Sequence, residues 1–395
     1  MRFAERMSRL GTESAFEVLA KAKQIEASGR SMIHLEIGEP DFSTPDNIIE
    51  SAYSAMRSGA THYTPAAGLP EVRAAIAESM SARGGVPVKP DQVVVVPGSK
   101  NILHFLLLSC VEEGDEVILP DPGYPVYRSL TDFVGARARP IALREENGFG
   151  MDMDEFESMI TPRTRLVIIN SPQNPTGGVL SSEQLDRLAE LAQRHDFLVL
   201  SDEIYSRICF SELPRPLWTR DGMAERTVVL DGLSKTYAMC GWRLGYGVMP
   251  RELAQRMETL MINTSSCAAA FTQLAAVEAL RAPESEVAVG QMVAEFRARR
   301  DLLVSGLNSV PGIRCHLPAA SFYAFPNVEG TGIPSRELAS RLLEEAGVAV
   351  LAGEAFGDAG RGYIRLAYTV GRPQLERAVD RIREFVSSAS PAAVS

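Results

Sequence analysis

The chain has 395 residues, of which 45% are hydrophobic and 23% charged, and its net charge is −10. That length exceeds what one hydrophobic core organises and predicts two domains. The acidic balance excludes a phosphate-neutralising surface, and with it a nucleic-acid partner; no apolar run reaches the roughly 18 residues that a membrane span needs.

Residues 1–30 mix charges with short apolar groups and show no secretory pattern, so a cytoplasmic location is expected. Glu36-Ile37-Gly38-Glu39-Pro40-Asp41-Phe42 follows an N-terminal helix, ends a short strand and crosses between domains. From about residue 90 to 250 short β-branched runs alternate with helical patterns: 92–96, 116–119, 165–170, 197–202, 227–230 and 244–248. Between them, 181–195 carries apolar Leu185, Leu188, Leu191 and Ala192 at helical spacing, with Ser181 or Ser182 as N-cap. This alternation predicts an α/β fold whose mostly parallel sheet, of about seven strands, is covered on both faces.

From about residue 282 the rhythm changes to a smaller α+β region. Its expected parts are a long helix, short strands at 313–315 and 321–325, a helix at 335–346, strands at 348–351 and 363–366, and a last helix from 372. The expected division is a large domain over 46–281 and a small one built from 1–45 and 282–395. The low-complexity tail 387–395 reads as disordered. Five dispersed cysteines (Cys110, Cys209, Cys240, Cys267 and Cys315) without a C-x-x-C pair fit reduced thiols, and five dispersed histidines offer no metal site.

In parallel sheets ligands bind at the carboxyl ends of the strands. The chemically suggestive residues follow those ends: Pro97-Gly98-Ser99-Lys100, Asp121-Pro122-Gly123-Tyr124, Ser171-Pro172-Gln173-Asn174-Pro175-Thr176-Gly177, Ser201-Asp202-Glu203-Ile204-Tyr205 and Asp231-Gly232-Leu233-Ser234-Lys235. Lysine is rare here. Of 40 basic residues only Lys21, Lys23, Lys89, Lys100 and Lys235 are lysine, and Lys235 sits among small and apolar residues.

Pyridoxal 5′-phosphate (PLP) chemistry needs an amine to form an imine, a phosphate clamp, a carboxylate beside the pyridine nitrogen, and donors to the phenolate oxygen. Lys235 offers the amine, against the plain alternative of a surface lysine. Arg243, on the strand that follows, offers the clamp, and Gly98-Ser99-Lys100-Asn101 offers an anion site at a helix N-terminus. Lys100 reads equally as a solvated charge. Asp202 suits the ring nitrogen, with a helix N-cap or a local salt bridge as alternatives. Tyr205 and Asn174 reach the phenolate, and Tyr124 stacks on the ring or is an ordinary half-buried tyrosine. The Ser171-Pro172 and Asn174-Pro175 bonds are candidates for cis. Arg365, which interrupts an apolar strand, suits a substrate α-carboxylate, with a buried ion pair as the alternative.

With these residues and with Gly38-Glu39-Pro40-Asp41-Phe42, Tyr63-Thr64-Pro65-Ala66-Ala67-Gly68-Leu69-Pro70, Asn174-Pro175-Thr176-Gly177, Ser234-Lys235 and Gly241-Trp242-Arg243-Leu244-Gly245, the chain resembles the class I/II aminotransferases of PLP fold type I, in their bacterial aspartate-aminotransferase-like subgroup. The resemblance runs almost end to end. It implies an amino group passed between an L-amino acid and a 2-oxo acid by a ping-pong mechanism, with Lys235 as Schiff-base lysine and proton shuttle. It further implies phosphate contacts from Arg243, Ser99, Lys100, Asn101 and Ser234, a ring-nitrogen contact from Asp202, phenolate contacts from Asn174 and Tyr205, and stacking by Tyr124. The α-carboxylate falls to Arg365, Asn174 and the Gly38 backbone.

Tyr63 of one subunit would reach the phosphate of its neighbour, so a homodimer with shared sites is expected. Gly232 departs from the pattern, since relatives often place serine or alanine there for a phosphate contact; that role falls to Ser234 or to no side chain. Residues 10–16 are expected over the site; they lack the Ser-x-Thr arrangement of some aspartate-preferring relatives and offer Phe16, which favours neutral or aromatic donors. A PLP-dependent C–S β-lyase of the same fold would use nearly the same residues. A non-enzymatic PLP-binding regulator would need a DNA-binding domain for which the chain has no room.

Overall fold

The computed structural model describes residues 1–389. Its strands in chain order are β1 (Ile33–His34), β2 (Val93–Val96), β3 (Glu116–Asp121), β4 (Arg137–Ala142), β5 (Thr164–Asn170), β6 (Leu198–Asp202), β7 (Thr227–Gly232), β8 (Gly245–Val248), β9 (Tyr323–Ala324), β10 (Val348–Ala349), β11 (Leu351–Ala352) and β12 (Ile364–Ala367). Seven of them form one sheet in the order β2-β8-β7-β6-β5-β3-β4. All its pairings are parallel except those of β8, which runs antiparallel to both neighbours.

The side-chain alternation of a strand sorts this sheet into two covered faces. In β2 all four valines are buried; Val93 and Val95 join a core with Ile48, Ile76 and Ala276, while Val94 and Val96 join another with Ile102, Leu106 and Met257. Each such side chain removed from water contributes about 1.5–3 kcal/mol. A third core, around Val167, Ile169, Val199, Leu188 and Phe156, covers the opposite half of the sheet. The helix Ser182–His195 starts as its sequence indicates: the Ser181 hydroxyl accepts from the Gln184 N–H and the Gln184 side chain accepts from the Ser181 N–H.

The six expected strands are present. The seventh, β4, carries the polar sequence Arg-Ala-Arg-Pro-Ile-Ala at the edge of the sheet, where an apolar run is not required and proline is tolerated. Beyond the long helix Pro283–Asn308, a three-stranded sheet β11-β12-β9 and the pair β1-β10 pack with the helix Arg372–Ala389 around Phe296, Phe322, Leu366 and Tyr368.

Three expectations there change. The strand expected at 348–351 is two strands, β10 pairing with β1 and β11 with β12, because the chain passes from one small sheet to the other at Val350. The strand expected at 313–315 is a single bridge, Arg314 to Asn327. The final helix takes in residues 387–389 of the expected disordered tail, and 390–395 lie outside the described residues. The long helix belongs to both halves: Val289 and Met292 pack under the large sheet, whereas Phe296 through Leu307 pack in the C-terminal core.

Candidate active site

A cavity of about 340 Å³ opens at the carboxyl ends of the parallel strands. Lys235, Ser234, Arg243, Ser99, Lys100, Tyr124, Asn174, Asp202, Tyr205, Gly38 and Arg365 all line it. Lys235 lies in the short helical turn Leu233–Thr236 that directly follows β7. Its Nζ donates to the Gly38 carbonyl at 2.8 Å and lies 3.4 Å from the Cys240 sulfur. The amine therefore faces the segment that crosses from β1.

Arg243 differs from the sequence expectation in one respect. It precedes β8 instead of lying on it, in a left-handed turn at φ 54°, and that turn brings its side chain back over the start of the helix Lys100–Cys110. Gly98 permits the approach: its φ is +83°, and a Cβ there would fall 2.2 Å from Arg243 Nη2. A guanidinium beside a helix N-terminus combines two anion-binding devices in one place.

Two members of the expected phosphate loop point elsewhere. The Asn101 side chain donates to the Pro97 carbonyl at 3.0 Å and does not line the cavity, so it serves to hold the loop. The Lys100 ammonium is engaged by the Glu13 carboxylate at the mouth and stands 5.3 Å from the centre of the Tyr124 ring. Gly232 packs against β8; a Cβ there would meet Gly245 Cα at 3.1 Å and the Leu244 carbonyl at 3.2 Å, a tight fit in which β8 would have to give by a few tenths of an ångström.

Asp202 is the last residue of β6 and is 6% exposed. Its Oδ2 accepts from the Tyr127 hydroxyl at 2.6 Å and its Oδ1 from the Ile204 N–H at 3.2 Å. Among the described residues no cationic side chain pairs with it, which removes the salt-bridge alternative, and no helix starts at it. Burial pushes its pKa up to about 7. A carboxylate so placed fits a protonated ring nitrogen, which would supply the missing charge.

Tyr205 is buried, and its hydroxyl lies 3.0 Å from that of Tyr323 on β9. Tyr323 fits because residue 38 is glycine: a Cβ on Gly38 would fall 1.8 Å from the Tyr323 oxygen. Burial holds the Tyr205 and Tyr127 hydroxyls protonated, as donors. Asn174 is fixed by its own N–H donating to Asn170 Oδ1 at 2.9 Å. The bonds Ser171-Pro172 and Asn174-Pro175 are both cis, as is Asp121-Pro122.

Arg365 enters from β12. Its Nη1 donates to Asn174 Oδ1 at 3.2 Å, its Nη2 donates to the Glu36 carbonyl, and its planar face lies 4.5 Å from the centre of the Tyr323 ring. It is not the buried ion pair that the sequence left open, since its partners are neutral oxygens. Its Nε is buried without a hydrogen-bond partner, and burial lowers its pKa. A buried, underused guanidinium facing a cavity fits an incoming carboxylate.

Tyr63 is 87% exposed and does not line this cavity. Asp121, from the motifs singled out in the sequence, also serves elsewhere: its carboxylate accepts the N–H groups of Asp358 and Ala359, tying the C-terminal region to the sheet. Tyr127, Asn170 and Tyr323 are among the lining residues that were not anticipated, whereas Glu13, Ala15 and Phe16 come from the segment 10–16 that was expected over the site. Asn170 was accessible to the strand-end rule, since it is the register partner of Asp202. Tyr127 stands one helical turn after Tyr124. Tyr323 is 118 residues from Tyr205 and carries no local signal.

The donor set therefore fits PLP: an amine at Lys235, an anion cradle at Arg243 and the helix start, and an unpaired buried carboxyl at Asp202. Comparison with known proteins agrees. The chain is 38% identical to an aspartate aminotransferase of Pyrococcus abyssi, covering 93% of this chain and 95% of that protein. It is 36% identical to aromatic-amino-acid aminotransferase 2 of Thermococcus litoralis, covering 98% of each. The solved structure of Thermus thermophilus aspartate aminotransferase with maleate superposes with a TM-score of 0.93 at 34% identity, over 97% of this chain and 100% of that one. None of these names favours the C–S lyase alternative. The profile of the family aminotransferase class I and II matches residues 30–382, and the chain belongs to that family, as a PLP-dependent transaminase.

Proposed function

We propose that this enzyme exchanges an amino group between an L-amino acid and a 2-oxo acid by a ping-pong cycle centred on Lys235. The observation that carries the assignment is the convergence of Lys235, Asp202, Arg243 and Arg365 on one cavity from four separate elements. When bound, PLP supplies a cationic, electron-withdrawing ring that stabilises negative charge at the substrate Cα. Asp202 keeps the ring nitrogen protonated, held in place by Tyr127. Tyr205 and Asn174 serve the phenolate oxygen, and Tyr124 covers the ring face. Arg243, Ser99, Ser234 and the backbone at Lys100 take the phosphate.

Arg365 receives the α-carboxylate, with Asn174 and the Gly38 backbone beside it, and so orients the Cα–H bond toward the Lys235 amine. Lys235 would then take up the Cα proton, a general-base role that needs its free amine within reach of that carbon. The amine's contact with the Gly38 carbonyl supports that position. Phe16 at the mouth favours neutral or aromatic side chains.

The separation between the three cores of the large sheet and the C-terminal core supports a division into a large domain (46–281) and a small one (1–45 with the chain from 282 onward), joined by the long helix. The exposed rings of Tyr63 and Tyr53, 87% and 56% accessible, support a homodimer in which Tyr63 serves the neighbouring site. Among the described residues no helix is long and apolar enough to cross a membrane, and a cytoplasmic location is proposed on that composition. The test is a panel of amino donors with pyruvate and 2-oxoglutarate as acceptors, run on wild type and Lys235→Ala. Normal amino transfer by the variant would sink the assignment, as would pyruvate and ammonia released from cystathionine without any acceptor.

A further inference from the structure

The mouth of the cavity holds one contact that the proposed cycle does not use. Glu13 Oε1 accepts from the Tyr124 hydroxyl at 3.0 Å and pairs with the Lys100 ammonium. Glu13 is held there by its surroundings. It directly precedes the helix Ser14–Ala27, and two residues earlier the Gly11 N–H donates to Ser129 Oγ at 2.9 Å, docking the segment on the helix Val126–Phe133. Ala15 and Phe16, from the first turn after Glu13, line the same opening.

The charges of the cavity can be assigned one by one. Its cations are Lys100, Lys235, Arg243 and Arg365, and its anions are Glu13, Glu39 and Asp202. In the proposed function Lys235 is the reactive amine, Arg243 would hold the phosphate, Asp202 the ring nitrogen and Arg365 the α-carboxylate. What remains is Lys100, already paired with Glu13, and Glu39, which is exposed and negative. Among the described residues of one protomer no cation in the cavity lining is left over for a second carboxylate, whereas Glu13 and Glu39 both line it. Like charges brought together at a partly desolvated opening repel, and the repulsion acts against the wrong substrate more than it helps the right one.

We infer that Glu13 is a specificity-determining residue that restricts the site to amino acids and 2-oxo acids bearing a single carboxylate, by occupying Lys100 and presenting negative charge to the substrate side chain. This rests on the functional reading above and names its substrate class. The occupant favoured on both halves of the cycle is a monocarboxylate with a neutral side chain packed against Phe16, Ala15 and Tyr124. A dicarboxylate must displace Glu13 from Lys100 before it finds a partner. Removing the Glu13 charge while keeping its shape should therefore convert Lys100 from an occupied cation into a receptor.

The experiment compares cofactor-loaded wild type with Glu13→Gln, Lys100→Met and the double variant. Single-turnover amino transfer is followed with aspartate and with phenylalanine, and equilibrium binding is measured calorimetrically for the unreactive acids succinate and butyrate. Wild type is expected to prefer phenylalanine to aspartate and butyrate to succinate. Glu13→Gln should raise the aspartate-to-phenylalanine ratio of kcat/KM by about tenfold, mainly through KM, which is the lower end for one charge-assisted hydrogen bond at a half-exposed cation. Adding Lys100→Met should abolish that gain. Lys100→Met alone, which loosens the same contact without offering a free cation, should leave the ratio no higher than in wild type.

A wild type that takes aspartate as well as phenylalanine overturns the inference, as does an unchanged ratio in Glu13→Gln or a gain that survives loss of Lys100. The acid-binding arm needs no turnover, so it reads the role of Glu13 even if amino transfer itself proves to be the wrong reaction.

Discussion

At the floor of the cavity Asp202, Tyr205, Asn174 and Arg365 are each at most 6% exposed, whereas at its mouth Phe16 is 61% exposed and the Lys100 side chain 49%. The floor residues stand on strand ends or on loops pinned by buried hydrogen bonds, and each has a partner from another element. Of the mouth residues, Phe16 belongs to an N-terminal segment docked on the helix Val126–Phe133, and Lys100 opens the helix Lys100–Cys110. A packed group has one geometry and dictates which bond reacts; a rim group can change without unfolding the protein and dictates which molecule enters. Reaction and selection are therefore carried by different parts of the chain, and substitutions should separate them.

The largest expected effect is at Lys235. Its replacement by alanine should leave the thermal unfolding midpoint nearly unchanged and reduce kcat/KM by on the order of 10⁴-fold or more for every donor. Asp202→Asn comes next, with a loss of about 10²–10³-fold in kcat, because a preorganised charge is removed from the ring nitrogen. The same residue gives a pH test on the cofactor-free protein. Its folded pKa of about 7 lies above the ordinary 3.8, so the folded chain keeps a proton that the unfolded chain releases between those values.

Wild-type apoprotein should therefore lose stability relative to Asp202→Asn as pH rises from about 4 to about 7, then level off. Parallel stability curves for the two proteins across that range would remove the case for a buried, unpaired carboxyl. Arg365→Lys should cost about 10–100-fold in kcat/KM, chiefly through KM, because an ammonium cannot reproduce the fork. Tyr127→Phe should destabilise the apoprotein by about 1 kcal/mol and leave donor preference unaltered. Smallest should be Phe16→Ala, a few-fold loss confined to aromatic donors with no change for alanine. If Phe16→Ala instead depressed all donors equally, the separation between floor and mouth would fail.

The floor was largely legible in the sequence because strand-end placement is a local rule. Each apolar run stops where its polar motif begins, so Asn174, Asp202 and Lys235 could be named from the order of residues alone. Arg365 was legible as a charge inside an apolar strand. The helix 182–195 was legible from its spacing and its capping serine. The mouth was not. Glu13 meets Lys100 across 87 residues and Tyr124 across 111, and neither neighbourhood hints at the other. Tyr323 reaches the floor only because Gly38, far away in the chain, leaves room for it. The run 348–351 misled for a different reason: four consecutive buried residues have no alternation, so nothing in them marks the point where the chain changes sheets.

The reversed strand β8 has a consequence for reach. Because β7 and β8 are antiparallel, with Gly232 opposite Gly245, the residues between them leave the sheet and return to it at the same end. Lys235 stands near the start of that excursion and Arg243 near its close. The loop thus works as a ruler with both ends clamped, one mark at the reactive amine and the other at the anion cradle. A molecule gripped at the second mark presents its carbonyl carbon to the first only if its own length matches. Inserting one residue between Gly241 and Arg243 would recalibrate the ruler, and phosphate should then still bind while imine formation with Lys235 is lost.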